Sequence, residues 1–124
     1  MFVAFRLQYE KIGFTMKKEL RTYRTKEGKE PFTEWLTCLK DKVARAQIAN
    51  RLDRIASGNY GDYKPIGEGI FELRIHCSAG YRIYFAQQEK AFLLLLIGGS
   101  KKTQKRDIEQ EKKYWAEFRE RYYD

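Results

Sequence analysis

Basic and titratable side chains repeat at alternate positions in a short apolar stretch, residues 71–85. Arg74 and His76 lie two residues apart before a short turn, and Arg82 and Tyr84 lie two residues apart after it. Because successive side chains of a strand point to opposite faces, this spacing predicts an antiparallel hairpin with one apolar and one cationic face. The cationic face is suited to an anion and carries the only histidine of the chain.

The chemistry that such a face could perform is phosphate binding and proton transfer. Arginine binds phosphate oxygens through planar, bidentate hydrogen bonds, and imidazole exchanges protons near neutral pH. RNA carries its own nucleophile, the 2′-hydroxyl. Its cleavage therefore needs a base, cations for the crowded phosphorane and an acid for the leaving 5′-oxygen. Lys101 and Lys102 follow the last predicted strand and reach the edge of the same face, so the candidate catalytic residues are Arg74, His76, Arg82, Lys101 and Lys102, without a metal or cofactor.

The same side chains also have structural interpretations. Arg74 could form an ion pair with Glu72 or Glu68. His76 could be a surface residue at a strand end, and Tyr84 could pack under a long loop. The residues alone leave these alternatives open.

Composition favours a nucleic-acid partner and no membrane. The 124 residues are enough for one domain, and 25 Lys+Arg against 17 Asp+Glu give a net charge of +8. An ordinary solvated basic surface is the alternative. The longest apolar run, residues 91–97, is far shorter than the roughly 20 residues of a membrane span. The chain starts without the features of a signal peptide, so we expect a cytoplasmic protein. Cys38 and Cys77 lack the spacing of metal ligands, and we expect both to be reduced and buried.

Periodicity predicts a strand, two helices, a loop, three strands and a long C-terminal helix. Residues 19–25 alternate like a strand, and residues 58–69 are aperiodic and rich in glycine, which predicts a loop. Residues 91–97 are apolar throughout, so this strand must be covered on both faces. The first helix starts at Pro31 and the second follows Asp41 as N-cap; their apolar stripes are Phe32, Trp35, Leu36 and Leu39, then Ala44, Ile48, Leu52 and Ile55.

A three-residue turn, Ser78 to Gly80, would set the register of the hairpin. It pairs Arg74 with Tyr84 and His76 with Arg82. The C-terminal helix begins near Thr103, and its narrow apolar seam consists of Ile108, Trp115, Phe118 and Tyr122.

Further cations could contact RNA outside the hairpin. We expect such contacts from Arg51 and Arg54 on the second helix, from Lys64 in the loop and from Tyr84 on the sheet. Residues 1–15 have no clear period, and Met16 is a second plausible start. Residues 1–18 are therefore expected to be an N-terminal extension or a start-site artefact, and residues 19–124 to form the domain.

Several segments, in their order and spacing, resemble the RelE/ParE toxin superfamily, and most closely its HigB-like, phage Gp49-related branch. The resemblance covers about residues 19–112. The matching strings are Gly69-Ile-Phe-Glu-Leu-Arg, Gly80-Tyr-Arg-Ile-Tyr, Leu96-Ile-Gly-Gly-Ser-Lys-Lys-Thr-Gln and Asp107-Ile, with Lys29-Glu-Pro-Phe-Thr-Glu-Trp-Leu and Gly58-Asn-Tyr-Gly-Asp-Tyr-Lys.

The resemblance implies an α+β fold in which two N-terminal helices pack on a curved, mainly antiparallel β-sheet, with a C-terminal helix. It also implies the toxin of a type II toxin–antitoxin system that cleaves mRNA on the ribosome through the 2′-hydroxyl, with a helix-turn-helix, HigA-like antitoxin as partner. By position, the phosphate-stabilising arginine falls on Arg82, the basic strand residue on Arg74, and the basic pair on Lys101 and Lys102.

Two departures leave the proton donor and acceptor open. This chain has Glu72 where RelE has a strand lysine, and Ile108 near the position of a C-terminal tyrosine or histidine in several relatives. Two other functions share the fold: inhibition of DNA gyrase in the manner of ParE, and binding without catalysis.

Overall fold

The computed structural model describes residues 19–77, 80–88 and 92–123. The expected N-terminal extension, residues 1–18, lies outside these ranges. Within them the chain forms five strands, three α-helices and one 3₁₀ turn. In chain order these are β1 (Glu19–Thr22), α1 (Pro31–Cys38), α2 (Lys42–Ala56), β2 (Tyr63–Gly67), β3 (Ile70–Ile75), β4 (Tyr81–Gln88), β5 (Phe92–Ser100), the turn Lys101–Thr103 and α3 (Gln104–Tyr123).

The strands form one mixed sheet in the order β1-β5-β4-β3-β2. β1 runs parallel to β5, and the other three pairs are antiparallel. The α+β class and the C-terminal helix are therefore confirmed. The expectation of two N-terminal helices is met in part, because α1 and α2 come after β1 and four strands follow them.

Strand β5 separates two apolar layers, as its uninterrupted apolar sequence predicts. Leu93 and Leu95 pack in a cluster with residues of α1 and α2 on one face of the sheet. Phe92, Leu94 and Leu96 pack on the other face with Trp115 of α3. Because alternate side chains of a strand serve opposite faces, one strand anchors both helical layers.

Two glycines at the end of β5 let both layers approach the backbone. A Cβ atom on Gly98 would lie 2.2 Å from the Trp35 ring of α1. A Cβ atom on Gly99 would lie 1.9 Å from Oδ2 of Asp107 in α3. The prediction that these glycines end the strand is wrong, since β5 continues to Ser100. Their lack of a side chain serves close packing.

The loop predicted at residues 58–69 contains a strand, so that prediction is wrong in part. β2 pairs with β3 at the edge of the sheet, where Pro65 is tolerated because one side of an edge strand needs no partner. Glu68 and Gly69 join the two strands with φ of 58° and 82°. Positive φ at both positions is the geometry of a tight type I′ hairpin turn.

The two short helices follow their predicted signals. Pro31 occupies the first turn of α1, and the Asp41 side chain accepts a hydrogen bond from the Ala44 N–H at 3.0 Å. The stripe of α2 is buried. Cys38 is exposed, so its expected burial is wrong, whereas Cys77 is partly buried and packs against the core. Among the described residues, no helix combines the length and apolar character needed to cross a membrane.

Candidate functional site

The β3–β4 hairpin places its two arginines directly opposite each other. The register pairs Arg74 with Arg82 and Glu72 with Tyr84. The predicted register, with Arg74 opposite Tyr84, is therefore wrong by two residues. The connection is longer than the predicted three residues, because β3 ends at Ile75 and β4 starts at Tyr81. Within it, the Gly80 N–H donates a hydrogen bond to the Cys77 carbonyl. Because side chains alternate with a period of two, this error leaves every residue on its predicted face.

A cavity of about 610 Å³ lies at the turn end of this hairpin. The main-chain N–H of Lys101 donates to the Gly80 carbonyl at 2.8 Å, which joins the end of β5 to the hairpin turn. Lys102 is exposed beside it and does not line the cavity. Four of the five candidate catalytic residues are thus brought together. The lining residues are Arg74, Ile75, His76, Cys77, Gly80, Tyr81, Arg82 and Lys101.

One buried carboxylate lies between the two arginines. Oε1 of Glu72 is 3.2 Å from Nε of Arg74 and 3.7 Å from Nη1 of Arg82. The Glu72 side chain has no exposed surface, and the side chains of Arg74 and Arg82 are 33% and 12% exposed. The predicted ion pair between Arg74 and Glu72 is therefore present. It does not close the site, because both guanidinium groups also line the cavity.

His76 has a carboxylate partner that sequence reasoning missed. Its Nε2 contacts Oδ2 of Asp62, and the imidazole is 71% exposed. The hydrogen bond from His76 lowers the pKa of Asp62, helped by the charges of His76, Arg74 and Arg51, so this carboxyl group stays ionised. Asp62 comes from the predicted loop, where the sequence has no period to indicate which residue it faces. The main-chain N–H of Arg74 donates a hydrogen bond to the main-chain carbonyl of Asp62 at 3.0 Å, and this bond fixes the Asp62 segment beside β3.

The cationic face is partly covered by α3. Tyr84 is fully buried, and burial followed by the charges of Glu72 and Glu111 raises its pKa. Its hydroxyl does not line the cavity. This face is open to solvent only in part, because α3 packs against β4 and β5 and covers the face at Tyr84.

The other predicted RNA contacts are spread over three elements. Arg51 donates to the main-chain carbonyls of Arg74, Tyr60 and Asp62 at 2.5, 3.0 and 3.3 Å, so its guanidinium joins the segment at residues 60–62 to β3. Arg54 is exposed on α2. Lys64 is half-exposed on β2, with Nζ 4.0 Å from Oε1 of Glu72. Their roles in RNA binding stay predictions.

No group of three or more histidine, cysteine or carboxylate side chains within the described ranges could hold a metal ion. The arginine, lysine and imidazole N–H groups that line the cavity are hydrogen-bond donors, a chemistry suited to an anion.

Residues 34–119, which include every residue of the cavity, match the family described as "Phage derived protein Gp49-like (DUF891)". This match covers well over half of the chain. The chain belongs to the Gp49-like family. The family is associated with toxin–antitoxin systems of the HigB/RelE kind. A relative from Haemophilus influenzae (strain ATCC 51907 / DSM 11121 / KW20 / Rd), named "Uncharacterized protein", is 47% identical over 81 residues, which are 65% of this chain and 82% of the relative.

Proposed function

We propose that this Gp49-like protein is the toxin of a type II toxin–antitoxin system and that it cleaves mRNA on the ribosome. The observation that carries the proposal is the convergence of Arg74, His76, Arg82 and Lys101 on one cavity. These four side chains come from β3, the connection between β3 and β4, β4 itself and the 3₁₀ turn that follows β5. The family association supports a toxin, and the cavity chemistry supports a phosphodiester substrate.

The proposed reaction uses the nucleophile that RNA carries. A base takes the 2′-hydroxyl proton, and the 2′-oxygen forms a bond to phosphorus. The bond from phosphorus to the 5′-oxygen breaks, and that oxygen takes a proton from an acid. The products are a 2′,3′-cyclic phosphate and a 5′-hydroxyl. Arg74 and Arg82 bind the non-bridging oxygens, whose charge increases in the transition state.

His76 is the proposed base. Since Nε2 is hydrogen-bonded to the Asp62 carboxylate, Nδ1 is the nitrogen that accepts the 2′-hydroxyl proton. The Asp62 carboxylate orients the ring and stabilises the imidazolium that forms, as an aspartate does for the histidine of a catalytic triad. Lys101 lines the same cavity and is the proposed proton donor to the leaving 5′-oxygen. In this proposal the protein acts in the cytoplasm, and a helix-turn-helix antitoxin neutralises it.

The test is mRNA cleavage in a reconstituted translation system, with cut sites mapped by primer extension and the ends checked for a cyclic phosphate. The wild-type protein should cut within ribosome-occupied codons. Arg82→Ala should lower the rate by about 100-fold, because it removes a donor to the transition-state charge. Arg45→Ala is the matched control, since Arg45 is exposed on α2 and does not line the cavity.

Equal cutting by Arg82→Ala and Arg45→Ala would contradict the assignment of the site. Intact mRNA together with inhibited DNA supercoiling would favour the gyrase alternative. Intact mRNA, normal supercoiling and harmless expression would favour binding without catalysis.

A further inference from the structure

We infer that Glu72 is a positioning residue that sets the spacing of the two phosphate-binding arginines, with Gln104 of α3 holding it in place. The inference rests on the proposed function, since it explains how that site is kept in a reactive geometry. Glu72 contacts both arginines but does not itself line the cavity. It therefore acts on RNA only through Arg74 and Arg82.

The hairpin register creates the need for such a residue. Arg74 and Arg82 are direct cross-strand partners, and like charges at directly opposite positions destabilise a sheet. Glu72 lies two residues before Arg74 and so projects from the same face. One oxygen, Oε1, attracts both guanidinium groups and fixes the distance between them.

The two carboxylate oxygens of Glu72 contact different partners. Oε1 faces the cations, including Nζ of Lys64 at 4.0 Å. Oε2 accepts a hydrogen bond from Nε2 of Gln104 at 2.6 Å. A buried carboxylate with all these partners has little freedom to rotate. Gln104 is the first residue of α3, so the packed helix holds the carboxylate against the arginines.

The charge balance leaves the site open to an anion. Glu72 is surrounded by the three cations Arg74, Arg82 and Lys64. Lys101 adds a fourth positive charge at the cavity and Asp62 a second negative charge, so a net positive charge remains. The hydrogen bond from Arg74 uses Nε and does not require its two terminal nitrogens. These nitrogens are suited to bidentate binding of a phosphate.

The experiment compares Glu72→Gln with Glu68→Gln in single-turnover cleavage of ribosome-bound mRNA. Glu72→Gln removes the charge but keeps the size of the side chain. Glu68→Gln removes one negative charge from the exposed β2–β3 turn and is the matched control. Affinity is measured separately, with ribosomes programmed with mRNA that carries a 2′-deoxyribose at the cut site.

We expect Glu72→Gln to lower the cleavage rate by about 10- to 100-fold, because a displacement of a binding group by about 1 Å can lower a reaction rate by as much as about 100-fold. Its affinity for the uncleavable mRNA should equal that of the wild type or be a few-fold tighter, since a negative charge beside the cavity is gone. Glu68→Gln should match the wild type in rate. A structural defect would instead lower rate and affinity together. Unchanged cleavage by Glu72→Gln, or a parallel loss of rate and affinity, would overturn the inference.

A second measurement does not depend on activity. Side-chain ¹H–¹⁵N spectra report the Nε–H groups of arginines, and the signals of Arg74 and Arg82 can be assigned from their lysine variants. We expect narrow signals in the wild type and broadened or shifted signals in Glu72→Gln and Gln104→Ala. If the wild type does not cleave mRNA but the signals change in this way, the proposed function fails and the positioning role stands. If the signals are the same in all variants, the positioning role is refuted.

Discussion

The most direct thermodynamic prediction concerns Glu111, a carboxyl group buried between α3 and the sheet. It has no exposed surface, and neither of its oxygens has a hydrogen-bond partner among the described residues. Burial, then the negative charges of Glu72 and Asp107, raise its pKa to about 9 against the partial opposition of Lys112. At pH 7 the group is therefore protonated and neutral in the folded protein.

The sign of the pH dependence follows from linkage. In the unfolded chain the pKa of Glu111 returns to its ordinary value of 4.5. Between pH 4.5 and 9 the folded protein keeps a proton that the unfolded chain releases, so stability falls as the pH rises. At about 1.4 kcal/mol per pH unit, the loss of stability from this group is at most about 3–4 kcal/mol between pH 4.5 and 7 and about 6 kcal/mol up to pH 9. Relaxation of the surrounding side chains makes these figures upper limits.

Glu111→Gln tests this reasoning, because glutamine has the same shape and no proton to release. The free energy of unfolding of the variant should lack the decrease with pH that Glu111 causes. The difference in unfolding free energy between the variant and the wild type should therefore grow by up to about 1.4 kcal/mol per pH unit from pH 5.5 to 8.5. The assay is urea unfolding followed by tryptophan fluorescence across this range. Glu109→Gln, exposed on the same helix, is the control and should keep the wild-type slope. Parallel curves for the wild type and Glu111→Gln would refute the reasoning.

Two further substitutions probe how α3 is attached, and both are measured by urea unfolding at 25 °C. Gly99→Ala should destabilise by about 1–3 kcal/mol, because its Cβ would lie 1.9 Å from Oδ2 of Asp107 and 2.8 Å from Oγ1 of Thr103; an unchanged midpoint would contradict the packing at this glycine. Trp115→Phe should cost at least about 1 kcal/mol, since Nε1 of the buried Trp115 donates to the Glu68 carbonyl at 2.8 Å. Tyr122→Phe, at a residue that is 61% exposed, is its control and should change stability by less than about 0.5 kcal/mol. Equal effects of the two aromatic substitutions would count against the hydrogen bond from Trp115.

Local patterns were enough to predict most of the elements. Pro31 and Asp41 mark the starts of α1 and α2 by backbone chemistry that depends on neighbouring residues only. The apolar run of β5 requires cover on both faces wherever the strand lies. β2 was missed because an edge strand with a proline and glycines has little hydrophobic alternation, and its pairing with β3 depends on the turn at Glu68 and Gly69.

The site was predictable at the level of faces and unpredictable at the level of partners. Alternation places Arg74, His76 and Arg82 on one side of the hairpin even when the register is wrong by two residues. The contact between His76 and Asp62 joins residues from separate elements, and no periodicity relates them. The burial of Tyr84 depends on where α3 lies, which its narrow apolar seam does not specify.

The register of β3 and β4 explains how one sheet face both packs a helix and presents a cationic cavity. Along this face the paired side chains change from Ile70 with Ala86, through Glu72 with Tyr84, to Arg74 with Arg82. The first pair belongs to the apolar cluster under α3, and the last pair lines the cavity. The middle pair is buried, and its carboxylate bonds to Gln104 of α3 and to Arg74. Because apolar burial holds α3 at one end, the cations at the other end can stay close together and partly exposed, and Glu72 offsets the repulsion that their proximity creates.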